Sequence, residues 1–343
     1  MAETLRVIDF GPSTPLRSQT LWHAIGYGVS AGAPVTLSFA RPAAPYVCLG
    51  YHRPTDEVDL GYCRANELPV LRRMVGGGPV YLDADQLFFQ ICLPAAAVPP
   101  VRQQALRTLL EPAVAAFRAV GIRAELGEDL EISVDDRKIC GHGAGQIDEA
   151  VVVCGNLIER FDHDRASRVL SVASPAQREQ TLALMRRFVA ATPVDPVAFK
   201  EAMVRAFGAG LGLDAVPGEL TGAESAALVR LDQEFTSDNW LSGPRRPVPG
   251  DSTRPRACQV KVRAGVWTLG ASHDGTEVAA GVVRGTVAEV RLSDRELNGL
   301  ARQAERAVTG LPVRAVPRVL ATFGDAGRRL AAVFAAASPE RLL

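Results

Sequence analysis

At 343 residues, 47% hydrophobic and 22% charged, the chain has the make-up of a globular protein long enough for one large domain and a smaller second one. Its formal net charge is zero and its pI is near 7, which argues against capture of nucleic acid or of an anionic membrane and leaves a small molecule or another protein as partner. No apolar run reaches the roughly 18 residues of a membrane span, and the opening MAETLRVIDFGPS lacks the basic-then-apolar order of a secretion signal, so a cytoplasmic location is expected.

Residues 18–29 (SQTLWHAIGYGV) place Leu21, Trp22 and Ile25 on one side of a short helix, and strand-like runs follow at VTLSFA and YVCLG. Then comes LRRMVGGGPVYLD, residues 71–83, in which three glycines stand between an arginine pair and a β-type run. Residues without Cβ are costly to order, so such a loop suits close approach to the backbone. QLFFQICL reads as a buried strand, and residues 101–120 set Leu106, Leu109, Leu110, Val114, Phe117 and Val120 at helical spacing before Gly121. Strand-like runs recur at IRAEL, DLEISV, RKICG and AVVVCGNLI. Helical segments follow around 164–170, 176–189 and 196–209, the last opened by Asp195-Pro196 as N-cap and first helical residue. Many short strands with few helices between them favour an α+β fold over a doubly wound parallel sheet. Pro, Gly, Ser and charge gather over 236–256, which divides the chain into domains 1–248 and 249–343. Beyond it, strands joined by turns such as Asp274-Gly275 lead to Ser293-Asp294-Arg295-Glu296, a capping-box pattern that predicts a helix through Val308 in a small α/β domain.

A glycine loop exposes backbone N–H groups that can hold phosphate oxygens, and a flanking arginine adds charge-assisted bonds. This loop matches neither GxxxxGKS nor GxGxxG, and by itself such a triple glycine after a strand is more often a tight turn than a nucleotide site. The six cysteines, Cys48, Cys63, Cys92, Cys140, Cys154 and Cys258, form no CxxC pair and no cluster with histidine. Neither a zinc site nor a disulfide framework is signalled, and most suit the role of small buried hydrophobes. Only three lysines, Lys138, Lys200 and Lys261, stand against a large excess of arginine. A compact ammonium kept where guanidinium is the default cation is informative, which marks Lys138 on its strand-like segment beside glycines.

Taken together, Arg72-Arg73, Gly76-Gly77-Gly78-Pro79-Val80 and Asp83 resemble the RRxSGGGAVxHD signature of the lipoate-protein ligase A family, and Arg137-Lys138-Ile139-Cys140-Gly141 resembles its GRKxSG motif. Asp129-Leu130 is similar to the end of the family's RNDL element, and Cys154-Gly155-Asn156-Leu157-Ile158 stands where its HGTLL lies. The tail, through Phe235 to Trp240 and the glycine-rich strands after it, resembles the family's C-terminal accessory domain. Biotin-protein ligases share the fold, but their GRGRxG loop is absent. The resemblance implies a mixed, mostly antiparallel sheet flanked by helices, and a two-step ligase. Lipoate or octanoate is joined to ATP as an acyl-AMP, and a lysine of a lipoyl carrier protein then takes the acyl group. It assigns Lys138 to the charge growing at the acyl oxygen and α-phosphate. Arg72, Arg73, Gly76, Gly77, Gly78, Pro79, Val80, Tyr81, Asp83, Asp129, Gly141 and His142 fall to ATP and lipoate, with magnesium accompanying the nucleotide. Val75, Phe88, Val153 and Cys154 are candidates for an apolar acyl slot.

Four positions depart from the family: Val75 replaces its serine, Leu82 its histidine before Asp, Glu128 its asparagine, and Cys154 the histidine of HG. GHGAGQ after Lys138 is also richer in glycine than the usual GSA stretch, so His142 would contact a phosphate or acyl carbonyl, or be a loop histidine without a role. Two other readings stay open. One is an ATP-independent octanoyl or lipoyl transferase using a thioester on Cys154 or Cys140. The segment GEDLEIS speaks against it, standing where such transferases carry a cysteine. The other is a lipoyl-carrier-binding partner without catalysis, against which stands the retention of Arg73, the glycines and Lys138.

Overall fold

A computed structural model describes residues 4–243, 256–297 and 299–338. In chain order the elements are β1 (Thr4–Ser13), α1 (Arg17–Ser30), β2 (Thr36–Pro42), β3 (Tyr46–Leu49), α2 (Leu60–Ala65), β4 (Val70–Arg72), β5 (Val80–Leu82), β6 (Gln86–Pro94) and α3 (Arg102–Ala119). They continue as β7 (Glu125–Leu126), β8 (Ile132–Val134), β9 (Arg137–Lys138), β10 (His142–Ile147), β11 (Ala150–Ile158), α4 (His163–Arg168), α5 (Pro175–Phe188), α6 (Pro196–Leu211), β12 (Asp214–Pro217), α7 (Gly222–Phe235) and α8 (Asp238–Ser242). The chain closes with β13 (Arg256–Arg263), β14 (Val266–His273), β15 (Thr276–Val283), β16 (Thr286–Ser293), α9 (Ala301–Val308), α10 (Val316–Leu320) and α11 (Gly324–Ala337).

The chain divides into two compact units. The first holds Met1–Thr55, Leu60–Asp162 and Ala190–Arg246. Its main sheet runs β10-β11-β6-β2-β1-β12, with β1 parallel to β2 and β12 and the other neighbours antiparallel, so the expected mixed sheet is present. β6 is central and buried on both faces, which is why QLFFQICLP is almost continuously apolar. One face packs on α3 and α6 through Leu109, Leu110, Phe117, Phe199 and Phe207. The opposite face packs on α1 through Trp22, Ile25 and Val29, and α1 in turn packs on α7 through Leu21, Ala24, Leu228, Leu231 and Phe235. Fully burying one such side chain stabilises by about 1.5–3 kcal/mol, so these two layers set the frame of the site. β1 and α7 had no counterpart in the sequence reading, although Thr221 and Glu224 form a complete capping box.

Two small sheets carry the motifs. β4-β3-β5 joins the arginine pair to the run after the glycines, and β7-β8-β9 is the hairpin bearing Lys138. The glycine-rich stretch after Lys138 forms β10, paired along its length with β11 from His142 opposite Gly155 to Ile147 opposite Ala150. Backbone pairing overrides the poor strand propensity of GHGAGQ.

The second unit holds Asp56–Asp59, His163–Val189 and Pro247–Leu343. β13 to β16 form an antiparallel meander in chain order, with α9, α10 and α11 supplying Val308, Val316, Leu320, Leu330 and Phe334 to its core. Helix α5 also belongs here: Gln177 donates to the Cys258 carbonyl (3.1 Å), Gln180 to that of Ala279 (3.2 Å), and Thr181 bonds Thr268 (2.8 Å). The boundary at 248/249 lies outside the described residues. This division differs from 1–248 and 249–343 in that residues 163–189 group with the later sheet. The helix expected from Ser293 begins instead at Ala301. Asp294 accepts Glu296 N–H but is gripped by Arg329 (2.8 and 3.0 Å) and Thr276 (2.6 Å), and Gly299 turns the chain at φ +81°.

Candidate active site

Between β4 and β5 the segment Arg73–Pro79 runs beside residues 49–51, with Arg73 N–H donating to Leu49 (3.0 Å) and Tyr51 N–H to Val75 (3.0 Å). The Arg73 guanidinium then folds the loop around itself. Nη1 donates to the Cys48 carbonyl (3.0 Å), and Nη2 to those of Gly76 (2.9 Å) and Gly78 (3.0 Å). Arg72, fully buried, donates from Nη1 to the carbonyls of Gly50, Tyr51 and Arg53 (2.9, 2.8 and 2.6 Å). From Nε and Nη2 it donates to Leu241 (3.1 and 2.8 Å). Burial pulls the Arg72 guanidinium below its ordinary value, and the Arg73 charge adds to that pull. Among the described residues neither arginine pairs with a carboxylate, so two buried positive charges are solvated by carbonyl dipoles alone. Gly77 takes φ +108°, and a Cβ on Gly76 or Gly78 would meet no atom within 4 Å. The loop thus has an open face that packing does not explain.

Its near end is fixed by His23, which the sequence reading placed only within a helix. Met74 N–H donates to His23 Nε2 (3.0 Å), while the ring's Nδ1 faces the Gln19 carbonyl at 2.7 Å. Complete burial holds this imidazole down to about 3, so it stays neutral with the proton on Nδ1. Trp22 stacks on the ring at 3.5 Å and Phe235 meets it edge-on at 4.8 Å. Phe235 also stacks on Trp240 (4.6 Å), whose Nε1 donates to the Arg72 carbonyl (3.0 Å). A histidine on an otherwise apolar helix face was the available signal.

Lys138 lies on β9 opposite Ser133, its Nζ 3.7 Å from Glu131 Oε2. Glu131, not singled out from sequence, has a side chain only 5% exposed. Asp129, itself exposed, accepts Glu131 N–H (3.1 Å) in an Asx turn, and Glu128 beside it is exposed too. Farther along, Gly141 N–H donates to Asn156 (2.7 Å), Asn156 to Gln86 (2.8 Å), and Gln86 to the Tyr81 carbonyl and Asp83 (both 3.3 Å). This amide chain links the exit from the Lys138 strand to the exit from the glycine loop. Burial raises the Asp83 carboxyl above its ordinary value.

The two islands, some 60 residues apart in sequence, also meet directly. A Cβ on Gly143 would lie 3.2 Å from the Gly76 carbonyl oxygen and 3.3 Å from Val75 Cγ2, and one on Gly145 only 2.9 Å from Val75 Cγ1. Val75 is therefore housed by glycines of β10 and is 1% exposed. His142 sits half-buried at the start of that strand. Pro79 and Val80 are half-buried at the loop exit, and Leu82 packs with Tyr46, Cys48, Leu71 and Phe88.

The four acyl-slot candidates do not converge. Val75 and Cys154 join the cluster under α1, Val153 the one under α3 and α6, and Phe88 that of the small sheet. A cavity of about 950 Å³ instead opens beside Gly76 and Met74, walled by Tyr27, Tyr51 and Trp240 and by residues 144–148 of β10 and its turn. Cys140 is fully buried and its thiol is pushed up to about 12. Burial likewise pushes Cys154 up to about 11, and its Sγ–H points to the Gly143 carbonyl at 3.5 Å. Among the described residues no group of three or more His, Cys, Asp or Glu side chains is placed to hold a metal ion. No helix among the described residues is long and apolar enough to cross a membrane.

Comparison with known proteins places this geometry. The octanoyltransferase LipM of Moorella thermoacetica is 26% identical over 270 residues, covering 70% of this chain and 98% of that protein. A chain of the bi-partite lipoate protein ligase of Thermoplasma acidophilum, studied with its E2 lipoyl domain, superposes with a TM-score of 0.63 at 25% identity, covering 72% of this chain and 99% of that one. LipL1 of P. falciparum, solved with lipoate, shares the fold over 93% of both chains at a TM-score of 0.57 and 11% identity. Residues 23–208 match the model of the lipoyl protein ligase A/B catalytic domain, a span that includes the glycine loop and Lys138. The chain belongs to the lipoyl protein ligase A/B family.

Proposed function

We propose that this family member is an ATP-dependent lipoate-protein ligase acting on a lipoyl carrier domain. The observation that carries the reading is the loop Gly76–Gly78: a Cβ on Gly76 or Gly78 would meet no atom within 4 Å, and the loop is held by the buried Arg73 beside the buried Arg72, neither with a carboxylate partner among the described residues. A triphosphate or an acyl phosphate supplies the missing negative charge. In the first step an oxygen of the lipoate carboxylate attacks the α-phosphorus of ATP and pyrophosphate leaves. In the second, the carrier's lysine amine attacks the acyl carbon, the C–N bond forms, AMP departs and the amine releases a proton. Lys138 donates to the oxygens on which charge grows, and the charge of Arg73 reaches the phosphate through a loop whose carbonyls it already holds. Pro79 to Tyr81 line the nucleotide, and magnesium arrives on its phosphates.

A second reading, acyl transfer from a carrier thioester, is favoured by the LipM relative. It needs a thiolate, and Cys140 and Cys154 are both held as thiols by burial. The deciding experiment incubates the protein with lipoate, octanoate or an octanoyl carrier, with and without ATP, and reads the mass of an acceptor lipoyl domain. ATP-dependent transfer from free lipoate that dies in Lys138→Ala and survives Cys154→Ala supports the ligase. Transfer from the thioester without ATP, lost in Cys154→Ala, overturns it, and no modification under any condition leaves a carrier-binding protein.

A further inference from the structure

We propose that Glu131 is a positioning residue for Lys138: a buried carboxylate that holds the ammonium in place by charge while leaving its N–H donors for the substrate. The proposal rests on the ligase reading above for what Lys138 does.

The geometry is specific. At 3.7 Å the Lys138–Glu131 contact is an ion pair but lies beyond hydrogen-bond range, so it orients the ammonium without engaging its donors. Both backbones are pinned. Lys138 pairs with Ser133, its carbonyl accepts Ala190 N–H (2.8 Å), and Ile139 N–H returns to Ile132 (3.1 Å). On the facing side, Gly127 N–H donates to the Glu131 carbonyl (3.0 Å), Asp129 caps Glu131 N–H (3.1 Å), and Leu130 is buried at φ +64°, a conformation that a branched side chain adopts only under compulsion. This hairpin register sets Glu131 diagonally across from Lys138 on one face, within reach of a long side chain. Cys140 is a further titratable group that feels both charges, and it is buried as a thiol. A carboxylate only 5% exposed is costly to keep ionised unless it is paired, so its retention beside a 24% exposed lysine calls for a purpose. A flexible four-carbon stem reaching toward an acyl-phosphate has many wrong positions, and a fixed counter-charge removes most of them.

The test uses full-length Glu131→Gln, Glu131→Asp, Lys138→Ala and the double variant Glu131→Gln/Lys138→Ala, each checked for a wild-type melting curve. In ATP-dependent transfer, Glu131→Gln should lower kcat by about tenfold or more with KM for ATP changed less than about twofold, since position rather than binding is lost. Glu131→Asp should recover part of the loss. The double variant should be no worse than Lys138→Ala, because Glu131 acts through that side chain. A kcat for Glu131→Gln within about twofold of wild type, or a double variant about tenfold below Lys138→Ala, overturns the proposal. A second readout needs no turnover: acylation of Lys138 by an amine-reactive anhydride at pH 8, followed by peptide mass. It should be several-fold faster in Glu131→Gln, where the side chain is no longer held in place by a fixed carboxylate, and unchanged labelling also overturns the proposal. A wild-type protein that transfers nothing with ATP sinks the ligase reading alone, because the labelling result stands by itself.

Discussion

Gly50 gives the sharpest test of how the glycine loop is held. It is buried and its φ is not in the left-handed region, so alanine is conformationally acceptable there. The only obstacle is spatial. An added Cβ would lie 2.9 Å from the Gly77 carbonyl carbon and nearer still to its oxygen, with the Gly76 carbonyl carbon at 3.2 Å. Comfortable contact needs about 3.5 Å or more, so the loop must retreat by the order of an ångström. Overpacking of this kind costs about 1–3 kcal/mol, and the retreat also strains the bonds from Arg73 to Gly76 and Gly78. Displacement of about 1 Å at a reacting centre costs on the order of 10²-fold in rate. We therefore expect Gly50→Ala to lose about that much in ATP-dependent lipoate transfer while unfolding only a few degrees early. The assay is steady-state transfer to a lipoyl domain beside a thermal melt. Turnover within about threefold of wild type with an unchanged melt would show that the loop is not pressed against residue 50.

Other expectations follow from the same contacts. Lys138→Ala should lower kcat by about 10²–10³-fold, and Lys138→Arg should also be badly impaired because a planar fork does not fill a compact ammonium's place; near-normal turnover in Lys138→Arg would contradict the assigned role. Gly145→Ala should destabilise through the 2.9 Å approach to Val75 Cγ1, and adding Val75→Ala should recover stability; simple additivity in melts would refute the contact. His23 titrates at about 3 folded against 6.5 unfolded, so the unfolded chain binds more protons below 6.5. The stability this contributes is complete above that pH and drains away as pH falls toward 3, by about 2 kcal/mol at pH 5. His23→Gln, which can still accept Met74 N–H, should flatten that acid limb in denaturant titrations, and an unchanged limb would assign it elsewhere.

Much of the frame was legible because local pattern and tertiary packing agree. Residues 101–120 carry helical spacing and form α3, and AVVVCGNLI is β11 from Ala150 to Ile158. What escaped depended on partners distant in sequence. Nothing in RRMVGGG tells that both guanidinium groups face inward to carbonyls, since Leu241 lies some 170 residues on. The strand β10 is hidden by its glycines, whose smallness serves Val75 rather than a turn. Val75, Phe88, Val153 and Cys154 have in common only their apolarity, a property spread over three separate clusters. Asp294 lost its helix start to Arg329, a residue no capping pattern foresees.

The fit of Val75 against Gly143 and Gly145 has a practical consequence for redesign. The bulk of Val75 before the glycines and the bareness of Gly143 and Gly145 after the lysine complement each other, since a Cβ at either glycine would crowd the valine. A graft that restores the family's serine alone would open a void beneath the loop, so position 75 and residues 143–145 should be exchanged as a single cassette.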